Sequence, residues 1–184
     1  MTDSHDDYVE RLRANRAEKD RVFAEERSSP LPPEARDDFD GLDYFDPDPD
    51  HRVTATVTVH DDPDPVEMET SDDRTVRYLR VVSLSFDLGG QTHTLGGYRQ
   101  ENASGDELFV PFRDKTTGQA TYHGGRYMEL APKDDLSDGD EVPVDFNLAY
   151  TPFCAFSDAF SCPLPPEENW LETTVPAGER TPEL

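Results

Sequence analysis

The residues able to do chemistry gather in the second half of the chain. Arg113-Asp114 precedes a turn at Lys115-Thr116-Thr117-Gly118, and Thr121-Tyr122-His123-Gly124-Gly125-Arg126-Tyr127 follows. Glycines beside an arginine let backbone N–H groups approach an anion while the guanidinium binds it bidentately. The plainer use is a buried ion pair, Arg126–Asp145 or Arg113–Asp114, that fixes strand register. Gly124-Gly125 lacks the strand–loop–helix setting of a phosphate loop. A second cluster is Asp145-Phe146-Asn147. Val142, Val144, Phe146, Leu148 and Tyr150 alternate as one strand face, so Asp145 and Asn147 are expected to share the other. There they face solvent, pin the tail, or hold a polar ligand. Glu168-Asn169 supplies a carboxylate and an amide from the tail. The candidate binding set is Arg113, Arg126, Tyr127, Asp145, Asn147, Tyr150, Glu168 and Asn169. An enzyme built on these residues would be a hydrolase. Asp145 or Glu168 would be its general base, and Arg126 would stabilise developing negative charge.

Cys154 and Cys162 are the only cysteines, eight positions apart in a proline-rich stretch. They read as two packed thiols or a local disulfide, and a reducing interior favours thiols. They are too few for a zinc site without histidines. The five histidines, His5, His51, His60, His93 and His123, show no paired ligand spacing. Asp46-Asp48-Asp50 starts like a calcium loop but fails at its sixth position, His51, and its twelfth, Val57. No metal is expected, and no residue set names a cofactor.

Charge bounds the partners. The chain of 184 residues carries 17 Lys+Arg against 41 Asp+Glu, a formal net charge of −24. Binding to a nucleic-acid backbone needs a basic surface, and docking on an anionic membrane does too. Residues 1–30 are polar throughout, which argues against a signal peptide. No apolar run reaches the ~18 residues of a membrane span. The acids are 25 Asp and 16 Glu, whereas only 3 of the basic residues are Lys. This composition resembles the cytoplasmic proteins of halophilic archaea that accumulate salt. Molar salt shortens the screening length to about 3 Å and suppresses repulsion among surface carboxylates. A cytoplasmic protein is expected, without nucleic-acid or membrane partners and with no oligomeric state implied.

The elements that must position these residues follow from patterning. Residues 4–27 read as a helix, capped by Ser4 and carrying a thin stripe of Tyr8, Val9, Leu12, Val22 and Phe23. Such a stripe docks on the outside of a domain. Residues 30–50 hold five prolines and eight acids, an irregular wrap anchored by Leu42, Tyr44 and Phe45. From residue 51 the period becomes two. Strands are expected at 53–59, 66–70, 74–88, 91–99, 108–112, 119–122, 125–131 and 142–150, with a tight turn at Gly89-Gly90. The strand candidates 108–112 and 126–130 should pair or lie close. No βαβ alternation appears. The fold class is mainly β, a single antiparallel β-barrel or sandwich with an N-terminal helix and an ordered Pro-rich tail. The parts are 1–50 (helix and Pro/Asp-rich wrap), 51–150 (β domain) and 151–184 (loop and tail).

Three stretches carry a family resemblance. The first is Ser29-Pro30-Leu31 with Gly41-Leu42-Asp43-Tyr44-Phe45. The second runs from Leu108-Phe109-Val110-Pro111-Phe112-Arg113-Asp114 to Thr121-Tyr122-His123-Gly124-Gly125-Arg126-Tyr127. The third is Asp145-Phe146-Asn147-Leu148-Ala149-Tyr150-Thr151-Pro152-Phe153-Cys154, then Cys162-Pro163-Leu164-Pro165-Pro166 and Glu168-Asn169. Together they resemble the family known as domain of unknown function 1684, over roughly residues 8–180. The resemblance implies a fold and a site but no reaction. The leading expectation is a binder of a small polar or anionic molecule. A hydrolase-type enzyme and a protein-interaction module are the alternatives.

Overall fold

The structure, a computed structural model, describes residues 4–103, 105–132 and 134–182. Seven strands form one antiparallel sheet: β1 (Arg52–Val59), β2 (Pro65–Glu69), β3 (Thr75–Leu88), β4 (Gln91–Gln100), β5 (Leu108–Phe112), β6 (Arg126–Leu130) and β7 (Glu141–Asp145). The order is β6-β5-β4-β3-β1-β7, and β2 pairs with the first half of β3. The sheet curls into a half-barrel. The long β3 changes register between Arg80 and Val82. Before this irregularity it pairs with β2, and after it with β1. Gly89 and Gly90 take φ of 63° and 80°, which lets β3 turn directly into β4.

The inner face of the curl holds the main core, including Ala55, Val57, Leu84, Leu95, Leu108, Val110, Phe112, Met128, Val144 and Phe146. These are the alternate positions that the period-two pattern marks. Helix α1 (His5–Glu25) starts at Ser4, whose side chain accepts from the Asp7 N–H at 3.2 Å. It lies outside the sheet and buries Tyr8, Leu12 and Phe23. Phe23, Leu31 and Phe156 form a separate small core joining helix, wrap and tail. A single turn, α2 (Pro33–Arg36), follows in the wrap.

Two expectations of secondary structure need correction. No strand forms at 119–122; that segment is a turn with one isolated bridge, Thr117 to Thr121. Asp114 holds it by accepting from Thr116 and Thr117. The last strand ends at Asp145 rather than Tyr150. There the Asp145 side chain caps the Asn147 N–H at 3.0 Å and starts a 3-10 turn, Phe146–Leu148. The turn reverses inside and outside: Asn147 is 2% exposed and Leu148 54%. The stretch from Asn102 to Gly105 also reads as a turn in the sequence; it includes Ser104, which lies outside the described residues.

Candidate functional site

On β6, Arg126 points inward. It is 1% exposed, the largest fully buried side chain of the chain's described part. Its Nη1 donates to the carbonyls of Ala177 and of Glu179, the latter at 3.3 Å. Its Nη2 donates to Val175 O at 2.9 Å and to Asp114 Oδ1 at 3.5 Å. Nε has no protein partner. The guanidinium also lies over the Phe112 ring, 5.1 Å from its centroid. Asp114 completes the clasp by accepting from the Val175 N–H at 2.7 Å. The tail can pass this closely because Gly178 has φ of 83°; a Cβ there would meet Ala149 O at 2.6 Å. Arg126 therefore ties residues 175–179 to the sheet. It meets neither Asp145, Asn147 nor Glu168.

Asp145 and Asn147 do lie together, but they hold the N-terminal wrap. Asp145 Oδ2 accepts from the Tyr8 hydroxyl at 2.6 Å. Its Oδ1 accepts from Asn147 N and Nδ2, each at 3.0 Å. Asn147 also exchanges two hydrogen bonds with the Asp48 backbone, at 2.8 and 2.9 Å. Asp145 thus spends both oxygens on protein donors.

Asn169 solves a gap in the sheet. Strands β4 and β5 share one register pair, Tyr98 with Phe109. Pro111 lacks an N–H to extend that ladder. The buried Asn169 amide enters instead, accepting from Gly96 N at 2.8 Å. It donates to Gly96 O at 3.0 Å and Pro111 O at 2.7 Å. Neighbouring Glu168 accepts from the Tyr98 hydroxyl and pairs with Arg80 at 2.5 Å. Arg113 stacks on Trp170, 4.7 Å from the ring centroid.

Tyr127, next to Arg126, points to the outer face. It belongs to a row of rings: Tyr78–Phe109 at 5.4 Å, Phe109–Tyr127 at 4.7 Å and Tyr127–Tyr150 at 5.8 Å between centroids. The row lines an open cleft of about 350 Å³. Its polar wall is Arg99, Gln100, Glu107 and Glu129. Arg99 is held by the carbonyls of Asp106, at 2.7 Å, and Glu107, at 3.4 Å. The Tyr150 hydroxyl donates to Glu129, and the Tyr127 hydroxyl to the Pro163 carbonyl. Burial raises the pKa of both phenols; for Tyr150 the Glu129 carboxylate adds to this. Both therefore stay protonated donors at neutral pH.

The cleft thus contains Tyr127 and Tyr150 of the expected set and not the other six. It adds Tyr78, Phe109, Arg99, Gln100, Glu107 and Glu129, which the sequence reading passed over. The common face of the rings follows only from the strand register, which puts Tyr78, Tyr98, Phe109 and Tyr127 on one side of the sheet. The histidines lie apart: His51 on Asp48, His60 on Ser83, His93 near Leu88 O and His123 beside Tyr122. Among the described residues, no three His, Cys, Asp or Glu gather to hold a metal ion. No described helix is long and apolar enough to cross a membrane.

Comparison with known proteins places the chain. The family described as "Protein of unknown function (DUF1684)" matches residues 37–180. The chain belongs to the DUF1684 family. A solution NMR structure of the uncharacterized protein from gene locus rrnAC0354 of Haloarcula marismortui is 67% identical to it. That comparison covers 98% of both chains with a TM-score of 0.77. This similarity agrees with the Asp-rich, Lys-poor composition expected of a halophile. No curated protein matches the chain. Both of the residue pairs that organise this DUF1684 member, Arg126–Asp114 and Asp145–Asn147, fall within the matched range.

Proposed function

We propose that this DUF1684 protein binds a small polar molecule with a flat ring, seated in the outer cleft. The observation that carries the reading is the row Tyr78–Phe109–Tyr127–Tyr150 beside an open polar wall. At about 350 Å³ the cleft sits at the low end of small-molecule sites. Ring faces offer stacking, while Glu129, Glu107 and Gln100 offer acceptors for a polar edge. A polar ligand suits the cleft better than an anion. Arg126 is already occupied, and Arg99 is the one cation among the described lining residues. The free thiols Cys154 and Cys162 suit work in the cytoplasm. The hydrolase alternative has less support, because Asp145 and Glu168 both spend their oxygens on protein donors.

The test is saturation-transfer NMR in molar KCl with purines, pyrimidines, nicotinamide and phenolic amines. At least one ring should bind. Stacking on an aromatic side chain is worth ~1–3 kcal/mol, so Phe109→Leu should weaken binding by about fivefold to a hundredfold. Binding by no ring, or equal binding by the variant, would overturn the proposal.

A further inference from the structure

The two cysteines lie behind the cleft wall, in a setting that neither the fold nor the cleft uses. Cys154 sits in a 3-10 turn, Phe153–Ala155, and is half-buried; Cys162 is buried, and both are free. The Cys154 N–H donates to Cys162 Sγ at 3.3 Å, so one cysteine's backbone touches the other's sulfur. The Tyr122 hydroxyl lies 3.6 Å from Cys154 Sγ. Cys162 is clamped on its own side. Its N–H donates to Ser71 Oγ at 3.1 Å, and its carbonyl accepts from Ser71 N at 2.9 Å. Leu164 N donates to Glu69 O at 2.7 Å just beyond. The β2–β3 turn therefore pins the Cys162 backbone. Cys154 sits on a short turn with the Tyr122 hydroxyl near its sulfur.

We propose that Cys154 and Cys162 form a peroxide-responsive dithiol, in which Cys154 reacts first and Cys162 resolves it to an intramolecular disulfide. Exposure gives the order, because an oxidant can reach Cys154 while Cys162 is buried. Local chemistry agrees. Hydrogen bonding with Cys162, helped by Tyr122, lowers the Cys154 thiol below its ordinary range against the effect of burial. Hydrogen bonding with Cys154 and burial raise the Cys162 thiol. In the first step the Cys154 thiolate attacks a hydroperoxide oxygen. An S–O bond forms, the O–O bond breaks, and the departing hydroxide takes the proton lost by Cys154, leaving as water. Cys154 is oxidised by two electrons to a sulfenic acid and the peroxide is reduced. Then the Cys162 sulfur attacks Cys154. The S–S bond forms, the S–O bond breaks, and hydroxide leaves with the Cys162 proton as a second water. Two equivalents of a small thiol reverse the reaction. The next residue, Pro163, accepts the Tyr127 hydroxyl at the cleft wall. Closure would therefore be felt there, although the dithiol chemistry does not depend on any ligand.

The full-length chain is treated with hydrogen peroxide, blocked with maleimide and weighed intact. The expected product has lost two hydrogens, takes no maleimide and regains both sites after dithiothreitol. Persistent labelling of both thiols, a disulfide between two chains, or direct passage to sulfinic acid would overturn the proposal. Dimedone should trap Cys154 in Cys162→Ser. In Cys154→Ser, trapping at Cys162 should be at least about tenfold slower, as expected of the less accessible, more basic thiol. Equal or reversed trapping would refute the assigned order. Tyr122→Phe provides a milder check: maleimide labelling of Cys154 should slow and its pH profile should move upward. An unchanged profile would remove Tyr122 from the mechanism and contradict the arrangement argued above.

Discussion

Arg126 and Tyr127 are chain neighbours on one strand, yet they serve opposite ends of the molecule's economy of contacts. Arg126 enters the inner face, where three tail carbonyls and Asp114 take up its terminal nitrogens. Tyr127 enters the outer face, where it lines an open cleft although it is largely buried; its hydroxyl donates to Pro163 and its ring packs edge-to-face with Phe109 and Tyr150. A buried guanidinium must have its partners supplied by the protein. An aromatic ring has no such requirement and can leave its face for a visitor. The residue type that looks most like a binding group is thus the structural one, and the row of rings on the other face is where we propose that a ligand binds.

The largest effect should come from breaking the inner side. Removing one partner of a buried, hydrogen-bonded charge pair costs about 3–5 kcal/mol. Arg126→Ala should lose that much in chemical denaturation. The loss should persist in molar KCl, since salt screens exposed charges far more than buried ones. Combined with Asp114→Ala, the loss should be clearly less than additive, because the two share one clasp. Full stability in Arg126→Ala would erase the contrast between the faces.

Asn169→Ala should cost somewhat less, about 1–3 kcal/mol for each buried backbone group left unsatisfied at the β4–β5 gap. Hydrogen exchange at Gly96 should rise with it. A smaller effect is expected at Glu179, whose backbone carbonyl meets Arg126 and whose carboxylate is buried beside Lys19. Burial raises the pKa of this carboxyl, with Lys19 opposing. The folded protein then holds the proton more tightly than the unfolded chain. That stability is full below the unfolded value of about 4.3 and is lost as pH rises through the folded value. Glu179→Gln cannot titrate, so its stability should gain on wild type as pH rises from about 4 towards neutral. A difference that stays constant with pH would show that Glu179 does not carry this linkage.

The fold was largely legible because most strands keep one face on a core, and alternation records that directly. Val53 to Val59 and Val82 to Phe86 show it plainly, whereas the irregularity between Arg80 and Val82 moves Tyr78, which alternation puts on the side of Val82, to the outer face. The pairing of β5 with β6 was also readable from two apolar runs separated by turn residues. What could not be read depends on partners without a side-chain signature. Arg126 is answered by backbone carbonyls of Val175, Ala177 and Glu179, and any three residues could supply those. Asp145 breaks its strand by capping a turn, which the continuing apolar pattern through Tyr150 conceals. Phe109 hides within Leu108–Phe112, a run so apolar that its outward member looks like core. The cleft itself needs Tyr78, Phe109, Tyr127 and Tyr150 brought together from four parts of the chain.

The proposed division between a fully partnered inner face and a ligand-binding outer face is tested most directly by chemical-shift mapping. The isotope-labelled protein would be titrated, in molar KCl, with whichever ring from the panel binds. The account predicts shifts concentrated on Tyr78, Phe109, Tyr127, Tyr150 and the Arg99–Gln100 backbone, with Arg126 and residues 175–179 unmoved. Shifts centred instead on Arg126, Asp114 and the tail, or scattered evenly over the surface, would contradict it.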